Sequence, residues 1–394
     1  MRVGILTLHD SVNYGAILQA YALRSFLTSL GHDVFLIDRR RNAQCTLRGP
    51  VPGPDRFPSH GPFSLDARTG EREYAHRCER SLAFLRESVG LSPYCFSDSR
   101  KAPEDLGVDA LVVGSDQVWN ANNHDPADYM LGTLPRKVRG IAYAASIGMR
   151  SLPTDRLADY RRGFAGFTAI GMREREGVEI VRGLGFPAEQ VVDPVLLAGP
   201  DIWRRILATS SADSCGPRVV CYFLAEDFAG MVPALSAFSG RCGRAVDFFV
   251  DRFWLRQPKT FSQFRRNRRF WRSCAEAGVR FRLDAGPIEF VRALTAADAV
   301  VTNSYHALMF SLLFGKEVRV VLPTHPRRQL MNARLTEACR DFVEGPAVAD
   351  GLDAALASLS AGERTRVRSG AVESAARQSA QWLSRALAST ADMI

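Results

Sequence analysis

Hydrophobic and polar positions follow each other in blocks along the chain, and two blocks share one pattern. The first is an apolar run at 2–8, a polar turn at 9–15 and an apolar helix that ends at a glycine. The second is an apolar run at 299–302, a polar turn at 303–306 and another apolar helix that ends at a glycine. In open parallel sheets, ligands bind beyond the carboxyl ends of strands, where the next helix presents unpaired N–H groups. Each turn is therefore a predicted ligand-binding position.

The remaining apolar runs predict an α/β fold of two doubly wound, Rossmann-like domains that face each other across a cleft. Short apolar runs bounded by polar turns are typical of buried parallel strands. They occur at 33–38, 109–116, 140–146, 167–174 and 188–197, and again at 218–224, 245–250 and 317–323. A polar run at 210–217 marks the linker. We predict an N-terminal domain at 1–205, a C-terminal domain at 206–365 and a helical segment at 366–394.

Two segments depart from this regular pattern. Residues 39–70 carry prolines and glycines too closely spaced for a regular element, which is typical of a functional lid or a disordered loop. Residues 252–282 hold ten basic residues against one acid, Glu276, with aromatic residues between them. One interpretation is a solvated helix whose aromatic side chains pack inward. The other is a surface for an acidic acceptor, a lipid-linked sugar or peripheral contact with a membrane.

Composition excludes several classes of protein. The 394 residues are enough for two domains with separate cores. The net charge is +9, but the sequence does not show the extended basic face that is typical of a nucleic-acid binder. We therefore expect no nucleic acid as a partner. The first apolar run is too short for a signal peptide and no run is long enough to span a membrane, which predicts a cytoplasmic protein.

Motifs for bound cofactors are missing from the sequence. The eight cysteines form neither a C-x-x-C pair nor a Cys/His cluster with metal-ligand spacing. Neither a G-x-G-x-x-G motif nor a P-loop is present. We therefore predict no metal site and no nucleotide cofactor.

Several motifs in register resemble the polysaccharide pyruvyl transferase family. They are NYGAILQAYAL at 13–23, VVGSDQVWN at 112–120, YAASIG at 143–148, the Asp193-Pro194 pair, GPIEFVRALTAADAVVTNSYHALMFSLLFGK at 286–316 and NARL at 332–335. The family's usual DSFHG is NSYHA here, so that Asn303 replaces an acid and Ala307 replaces a glycine.

This resemblance implies a fold of the GT-B kind, with the acceptor on the N-terminal domain, the donor on the C-terminal domain and a last helix that returns to the first domain. It also implies transfer of a pyruvyl group from phosphoenolpyruvate to hydroxyls of a glycan or lipid-linked sugar. The products are a ketal and phosphate, and phosphoenolpyruvate is a co-substrate, so no cofactor is expected.

Three residues are the main candidates for this chemistry. His306 matches the family's donor-binding histidine, and a histidine is a natural general acid near neutral pH. Arg173 matches a family arginine and would clamp the donor carboxylate or phosphate; the alternative is a salt bridge with Glu174 or Glu176. Asp116 is the candidate base or acceptor anchor, and the alternative for it is a helix cap.

Further candidates fall into two groups. Ser304, Tyr305, Asn332 and Arg334 are predicted to bind the donor, the first two through backbone N–H groups, and Asn13, Tyr14, Gln117, Trp119 and Ser146 to line the acceptor side or the cleft. Helix capping is the alternative for Asn13, and a place in the core is the alternative for Trp119. Asp193 is expected to hold backbone geometry.

Two other functions fit the same patterns. A GT-B glycosyltransferase that uses a nucleotide sugar would share the fold. A repurposed or non-catalytic family member, for example in natural-product assembly, would retain the sheets, and Asn303 favours that alternative. The sequence leaves the acceptor and the oligomeric state open.

Overall fold

The computed structural model describes residues 1–9, 12–39, 67–96, 107–132, 138–208, 218–224, 228–250, 274–276, 278–323 and 332–388, without the side chains of 67–75, 93–96 and 228–230. Most of the predicted loop at 39–70 lies outside these residues. So do Arg265, Arg266, Arg268 and Arg269 of the basic stretch 252–282, and its predicted surface role therefore stays a prediction.

The first sheet is parallel throughout and has the order β3-β2-β1-β4-β5-β6-β7. Its strands are β1 Arg2–Leu6, β2 Asp33–Arg39, β3 Leu91–Phe96, β4 Ala110–Val113, β5 Arg139–Ala145, β6 Ala169–Met172 and β7 Glu189–Gln190. Every residue of β4 is buried, as expected for a parallel strand covered on both faces. The order reverses between β1 and β4, which is where such sheets bind ligands.

The second sheet is also parallel and has the order β10-β9-β8-β11-β12-β14. Its strands are β8 Arg218–Phe223, β9 Ala245–Val250, β10 Val279–Arg282, β11 Ala299–Thr302, β12 Glu317–Val321 and β14 Val348–Ala349. A small antiparallel pair joins β13 Val343–Glu344 to β15 Arg366–Val367. The strand order of the first sheet recurs here, with the reversal between β8 and β11.

Helices connect the parallel strands and cover the sheets. They are α1 Tyr14–Ser29, α2 Ala67–Phe84, α3 Leu157–Phe164, α4 Arg175–Gly183, α5 Pro194–Leu197, α6 Asp201–Leu207, α7 Phe228–Cys242, α8 Pro287–Ala296, α9 Tyr305–Leu313, α10 Asn332–Phe342, α11 Leu352–Ser360 and α12 Ala371–Ala388. A π-helical turn, Leu85–Val89, follows α2. No helix among the described residues is long and apolar enough to cross a membrane.

Aromatic side chains join the two sheet units. The ring of Tyr14, at the start of α1, stacks on Phe290 of α8 with 4.3 Å between centroids and meets Tyr222 and Phe249 edge-on. The hydroxyl of Tyr14 donates to the carbonyl oxygen of Ala285 at 2.8 Å. The start of α1 is therefore fixed against the second sheet unit.

The C-terminal helix α12 packs against the first sheet unit. Trp382 lies against Gly171 of β6, so that a Cβ atom at this glycine would come within 2.9 Å of the indole ring. The backbone N–H of Val192 donates to Ser379 Oγ at 3.0 Å. Because α12 follows the second sheet in the chain, these contacts connect the end of the chain to the first sheet.

Candidate active site

His306 lies where the carboxyl-terminal edges of the two sheets meet. It is the second residue of α9, directly after β11, and is only 7% exposed. Its Nε2 is 3.5 Å from Oδ2 of Asp193, which follows β7 of the first sheet. On its other side the ring contacts α1 so closely that a Cβ atom at Gly15 would lie 2.2 Å from Nδ1. Gly15 therefore makes room for the imidazole.

Asp193 is the carboxylate at the centre of this site, and its side chain is fully buried. Its Oδ2 accepts from Ser115 Oγ and from Arg173 Nη1, both at 3.3 Å, and its Oδ1 accepts from the N–H of Val195 at 3.0 Å. Burial would raise the pKa of Asp193, but His306 and then Arg173 outweigh it and hold the pKa at about 2. Asp193 caps α5 as the sequence indicates, and it also supplies a permanent negative charge beside His306.

Arg173 is surrounded by protein carboxylates. Its fully buried guanidinium donates from Nε to Glu174 at 3.0 Å and from Nη1 to Asp193 at 3.3 Å, and its Nη2 lies 3.8 Å from Asp116. Burial would lower the pKa of Arg173, but these acids raise it above its ordinary value. The structure thus has the salt bridge with Glu174, which was the alternative interpretation of Arg173. The Nη2 atom has no hydrogen bond to the described residues and Arg173 borders the cavity described below, so its contact with the donor stays a prediction.

Asp116 has an unusual backbone conformation. Its φ of 73° lies in the left-handed region, which costs a non-glycine residue on the order of 1–3 kcal/mol and is most common at functional sites. Its Oδ1 accepts from the N–H of the next residue, Gln117, at 2.8 Å. Burial would raise the pKa of Asp116, but His306 and Arg173 together lower it. A lowered pKa makes Asp116 a weak base and suits it better to anchoring a hydroxyl.

Arg334 is the cation of the site that has no acidic partner. It is 7% exposed, and no carboxylate oxygen of the described residues lies within salt-bridge distance of it. A side-chain amide atom of Gln117 is 2.9 Å from its Nη1, and its Nε has no hydrogen bond to the described part of the chain. Burial, followed by repulsion from Arg173, lowers the pKa of Arg334 to about 10. An anion bound at Arg334 would stabilise its charged form.

Tyr305 contacts both guanidinium groups. The Cζ of Arg173 is 4.5 Å from the centroid of its ring, and that of Arg334 is 5.5 Å away. Burial raises the pKa of Tyr305, so its hydroxyl stays protonated. Its aromatic face stabilises both cations by cation–π contact.

A cavity of about 380 Å³ adjoins the cluster between α10, α12 and the ends of β6 and β7. Arg173, Asp193, Tyr305 and Arg334 lie at its inner wall. The cavity thus connects the buried charges to the space between the two sheet units.

Three residues predicted to line the cleft have buried side chains. Trp119 is fully buried, packs edge-on against Phe164 and donates to the carbonyl oxygen of Tyr129, so its indole cannot stack on a sugar. Tyr14 is fully buried in the aromatic interface, and Ser146 is also fully buried. Asn13 caps α1 by accepting from the N–H of Ala16 at 3.2 Å.

Ser304 and Asn303, in the turn after β11, form hydrogen bonds that fix the local backbone, and Asn332, at the start of α10, does the same. The N–H of Ser304 donates to Thr302 Oγ1 at 2.9 Å and its hydroxyl caps α9, which leaves no Ser304 N–H for an anion. Asn303 binds both the N–H and the carbonyl oxygen of Leu224, and so joins the ends of β8 and β11. Asn332 donates to the carbonyl oxygen of Pro323 at 3.1 Å.

The sequence interpretation missed the contact of Asp193 with His306 and the part played by Ser115. The sequence did contain a signal for these contacts. Ser115 and Asp193 are polar residues shortly after strands β4 and β7, just as His306 comes shortly after β11. Within the described ranges, no group of three or more His, Cys, Asp or Glu side chains could hold a metal ion.

Comparison with solved structures identifies the fold. The UDP-GlcNAc 2-epimerase from Neisseria meningitidis, solved bound to UDP-GlcNAc, is 9% identical in sequence to this chain and superposes with a TM-score of 0.57. The match covers 99% of this chain and 100% of that chain. The UDP-N-acetylglucosamine 2-epimerase from Rickettsia bellii is also 9% identical, with a TM-score of 0.54, 99% coverage of this chain and 96% of that chain. At such low identity the likeness shows the fold alone, which is a two-domain α/β fold of the GT-B kind.

Comparison with sequences identifies the family. No curated protein sequence matches the chain. The family model described as polysaccharide pyruvyl transferase matches residues 13–325, a range that includes His306, Asp193, Arg173 and Asp116. The chain therefore belongs to the polysaccharide pyruvyl transferase family and is a transferase.

Proposed function

We propose that the protein transfers a pyruvyl group from phosphoenolpyruvate to hydroxyl groups of a sugar or glycan and releases phosphate. The observation that carries the proposal is that Asp193 and Arg334 border one cavity, that Asp193 lies 3.5 Å from His306, and that Arg334 forms no ion pair with the described residues. A proton donor next to an anion-binding cation is what this donor requires. Membership of the family supports the same reaction.

Each group has a role in the proposed reaction. Arg334 binds the phosphate or carboxylate of the donor. His306 protonates the methylene carbon while one sugar hydroxyl attacks the neighbouring carbon, and Asp193 stabilises the imidazolium that delivers the proton. Loss of phosphate and attack by the second hydroxyl complete the ketal. The two hydroxyl protons return to the imidazole and to the leaving phosphate.

Thermal shift with different donors tests this proposal against a glycosyltransferase that uses a nucleotide sugar. A ligand at 100 times its dissociation constant stabilises a protein by about 2.7 kcal/mol, which is enough to measure. We expect phosphoenolpyruvate to raise the melting temperature and UDP-sugars to leave it unchanged. Stabilisation by a UDP-sugar alone would favour the glycosyltransferase, and stabilisation by neither would favour a family member that has lost donor use.

Arg334→Met should raise the KM for phosphoenolpyruvate by roughly 10- to 100-fold, because a charge-assisted hydrogen bond contributes about 1.5–3 kcal/mol. The free energy of unfolding should not fall, because the substitution removes a buried charge that burial already disfavours. Steady-state kinetics and urea unfolding measure the two effects. Arg340→Met, at an exposed position of the same helix, is the control and should change neither. A marked loss of stability with an unaltered KM would make Arg334 a structural residue.

Donor transfer should not depend on a divalent cation. Arg334 can bind one anionic group of the donor without a metal bridge, so treatment with EDTA should leave the rate of phosphate release unchanged. The measurement compares enzyme dialysed against EDTA with the same enzyme supplemented with Mg²⁺ or Mn²⁺. Loss of activity after dialysis and recovery with the metal would contradict this expectation.

A further inference from the structure

The outer walls of the cavity between α10 and α12 carry charges that are already paired. Arg175, at the start of α4, donates to Asp341 at 2.8 Å and lies 3.6 Å from Glu337. Gln190, at the end of β7, donates to the same Glu337 at 2.7 Å. Because these contacts join the first sheet unit to α10, the walls hold the two units together and leave no unpaired charge for a ligand.

Solvent-accessible hydrogen-bonding groups lie on the opposite wall. The side chains of Ser374 and Gln378, on α12, border the cavity and make no hydrogen bond to any described residue. Leu196, Met309 and Phe342 add apolar surface to the same space. Free hydroxyl and amide groups beside apolar side chains match a sugar ring, which presents hydroxyl groups at its edge and C–H groups on its faces.

The charge of the cavity disfavours an anionic ligand. Glu174, Asp193, Glu337 and Asp341 border it, against Arg173, Arg175 and Arg334. Arg173 and Arg175 form ion pairs with carboxylates, whereas Arg334, at the inner wall, forms no ion pair with the described residues. A diphosphate in the outer part would face carboxylates. The volume of about 380 Å³ lies within the range of about 300–1,000 Å³ that is usual for small-molecule sites.

The inner wall places this space next to the reacting groups. Asp193 borders the cavity and also lies 3.5 Å from Nε2 of His306, while Arg334 borders the cavity beside Gln117. A ring bound between α10 and α12 would therefore lie one side chain away from the proton donor. The donor anion would occupy the adjoining position at Arg334.

We propose that the cavity between α10 and α12 binds one uncharged sugar ring of the acceptor, held by Ser374 and Gln378. This inference rests on the proposed pyruvyl transfer, and it assigns the acceptor to a position where the second domain and the C-terminal helix contribute together. A sugar whose charge lies in a diphosphate must keep that group outside the cavity.

A matched pair of substitutions on α12 tests the proposal. Ser374→Phe fills the cavity, while Ser384→Phe makes the same change at an exposed position of the same helix. Calorimetry measures binding of a panel of p-nitrophenyl glycosides of neutral sugars, of UDP and, separately, of phosphoenolpyruvate. We expect the wild type and Ser384→Phe to bind at least one neutral glycoside and Ser374→Phe to bind it roughly tenfold more weakly or worse, because the new ring takes its space. All three should bind phosphoenolpyruvate equally.

Other outcomes overturn the assignment. Equal glycoside affinity in wild type and Ser374→Phe, selective loss of UDP affinity, or a wild type that binds no neutral glycoside would each contradict it. Failure of the wild type to bind phosphoenolpyruvate would instead contradict the proposed function. The glycoside measurements would still show whether the cavity binds a sugar ring. If Ser374→Phe lowers the melting temperature, Gln378→Leu gives the same test with a smaller change and should also weaken glycoside binding.

Discussion

Replacing His306 with alanine should lower turnover with phosphoenolpyruvate by roughly two to four orders of magnitude, the usual contribution of a general acid. The imidazole lies 3.5 Å from the buried carboxylate of Asp193, which also borders the cavity. The protein should stay folded, because alanine favours the helical conformation of α9 and needs less space than the imidazole beside Gly15. Phosphate release at saturating donor and acceptor measures the loss, and the melting temperature checks the fold.

His32→Ala is the matched control for this substitution. His32 lies in the turn between α1 and β2, far in the chain from the site residues, and its replacement should leave turnover unchanged. Near-normal turnover of His306→Ala would contradict the assignment of the proton donor. Unfolding of that variant would show that His306 is a packing residue of the domain interface.

The architecture could be predicted because parallel strands covered on both faces are continuous apolar runs. The predicted strand at 299–302 coincides with β11, and the predicted runs at 218–224 and 245–250 contain β8 and β9. Elements with a weaker pattern were missed. Strand β3, Leu91–Phe96, contains Pro93 at an edge of the sheet, and α7 contains Pro233, so neither matches a simple periodicity.

The site was predicted only in part, because partners come from distant positions. The turn at 303–306 placed His306 correctly at the end of a strand, but its carboxylate neighbour is at 193, in the other sheet unit. Trp119 follows a polar turn in the sequence, yet tertiary packing buries its ring against Phe164. A pattern of polar residues after strands predicts where a site lies, and it does not predict which side chains pair with each other.

Arg173 shows most clearly that the partners of a site residue come from distant positions in the chain. The sequence places it after a strand, which suggested a clamp for the donor anion. Only Glu174, among the acids that surround it, is its neighbour in the chain, while Asp116 and Asp193 come from other strands. Folding therefore uses the guanidinium to neutralise three carboxylates. We therefore expect the loss of Arg173 to destabilise the protein, and the predicted contact with the donor is a separate effect.

Arg173→Ala should lower the free energy of unfolding by about 3–5 kcal/mol, because removing one partner of a buried ion pair leaves the other charges uncompensated. Asp193 is the most affected of the three acids, since its side chain is fully buried and Arg173 helps to hold its pKa at about 2. Urea unfolding followed by tryptophan fluorescence measures the change. Turnover should fall as well, because Asp193 would no longer be held beside His306.

Arg175→Ala is the matched control, two positions further along the chain. Its guanidinium is 51% exposed and pairs with Asp341 at 2.8 Å, so its removal should cost no more than about 1 kcal/mol. Arg173→Lys, which keeps the charge and loses the planar fork, should recover part of the stability but cannot reach all three carboxylates. If Arg173→Ala instead unfolds at the same urea concentration as the wild type and only its KM for phosphoenolpyruvate rises, Arg173 is the donor clamp and the carboxylates around it do not depend on its charge.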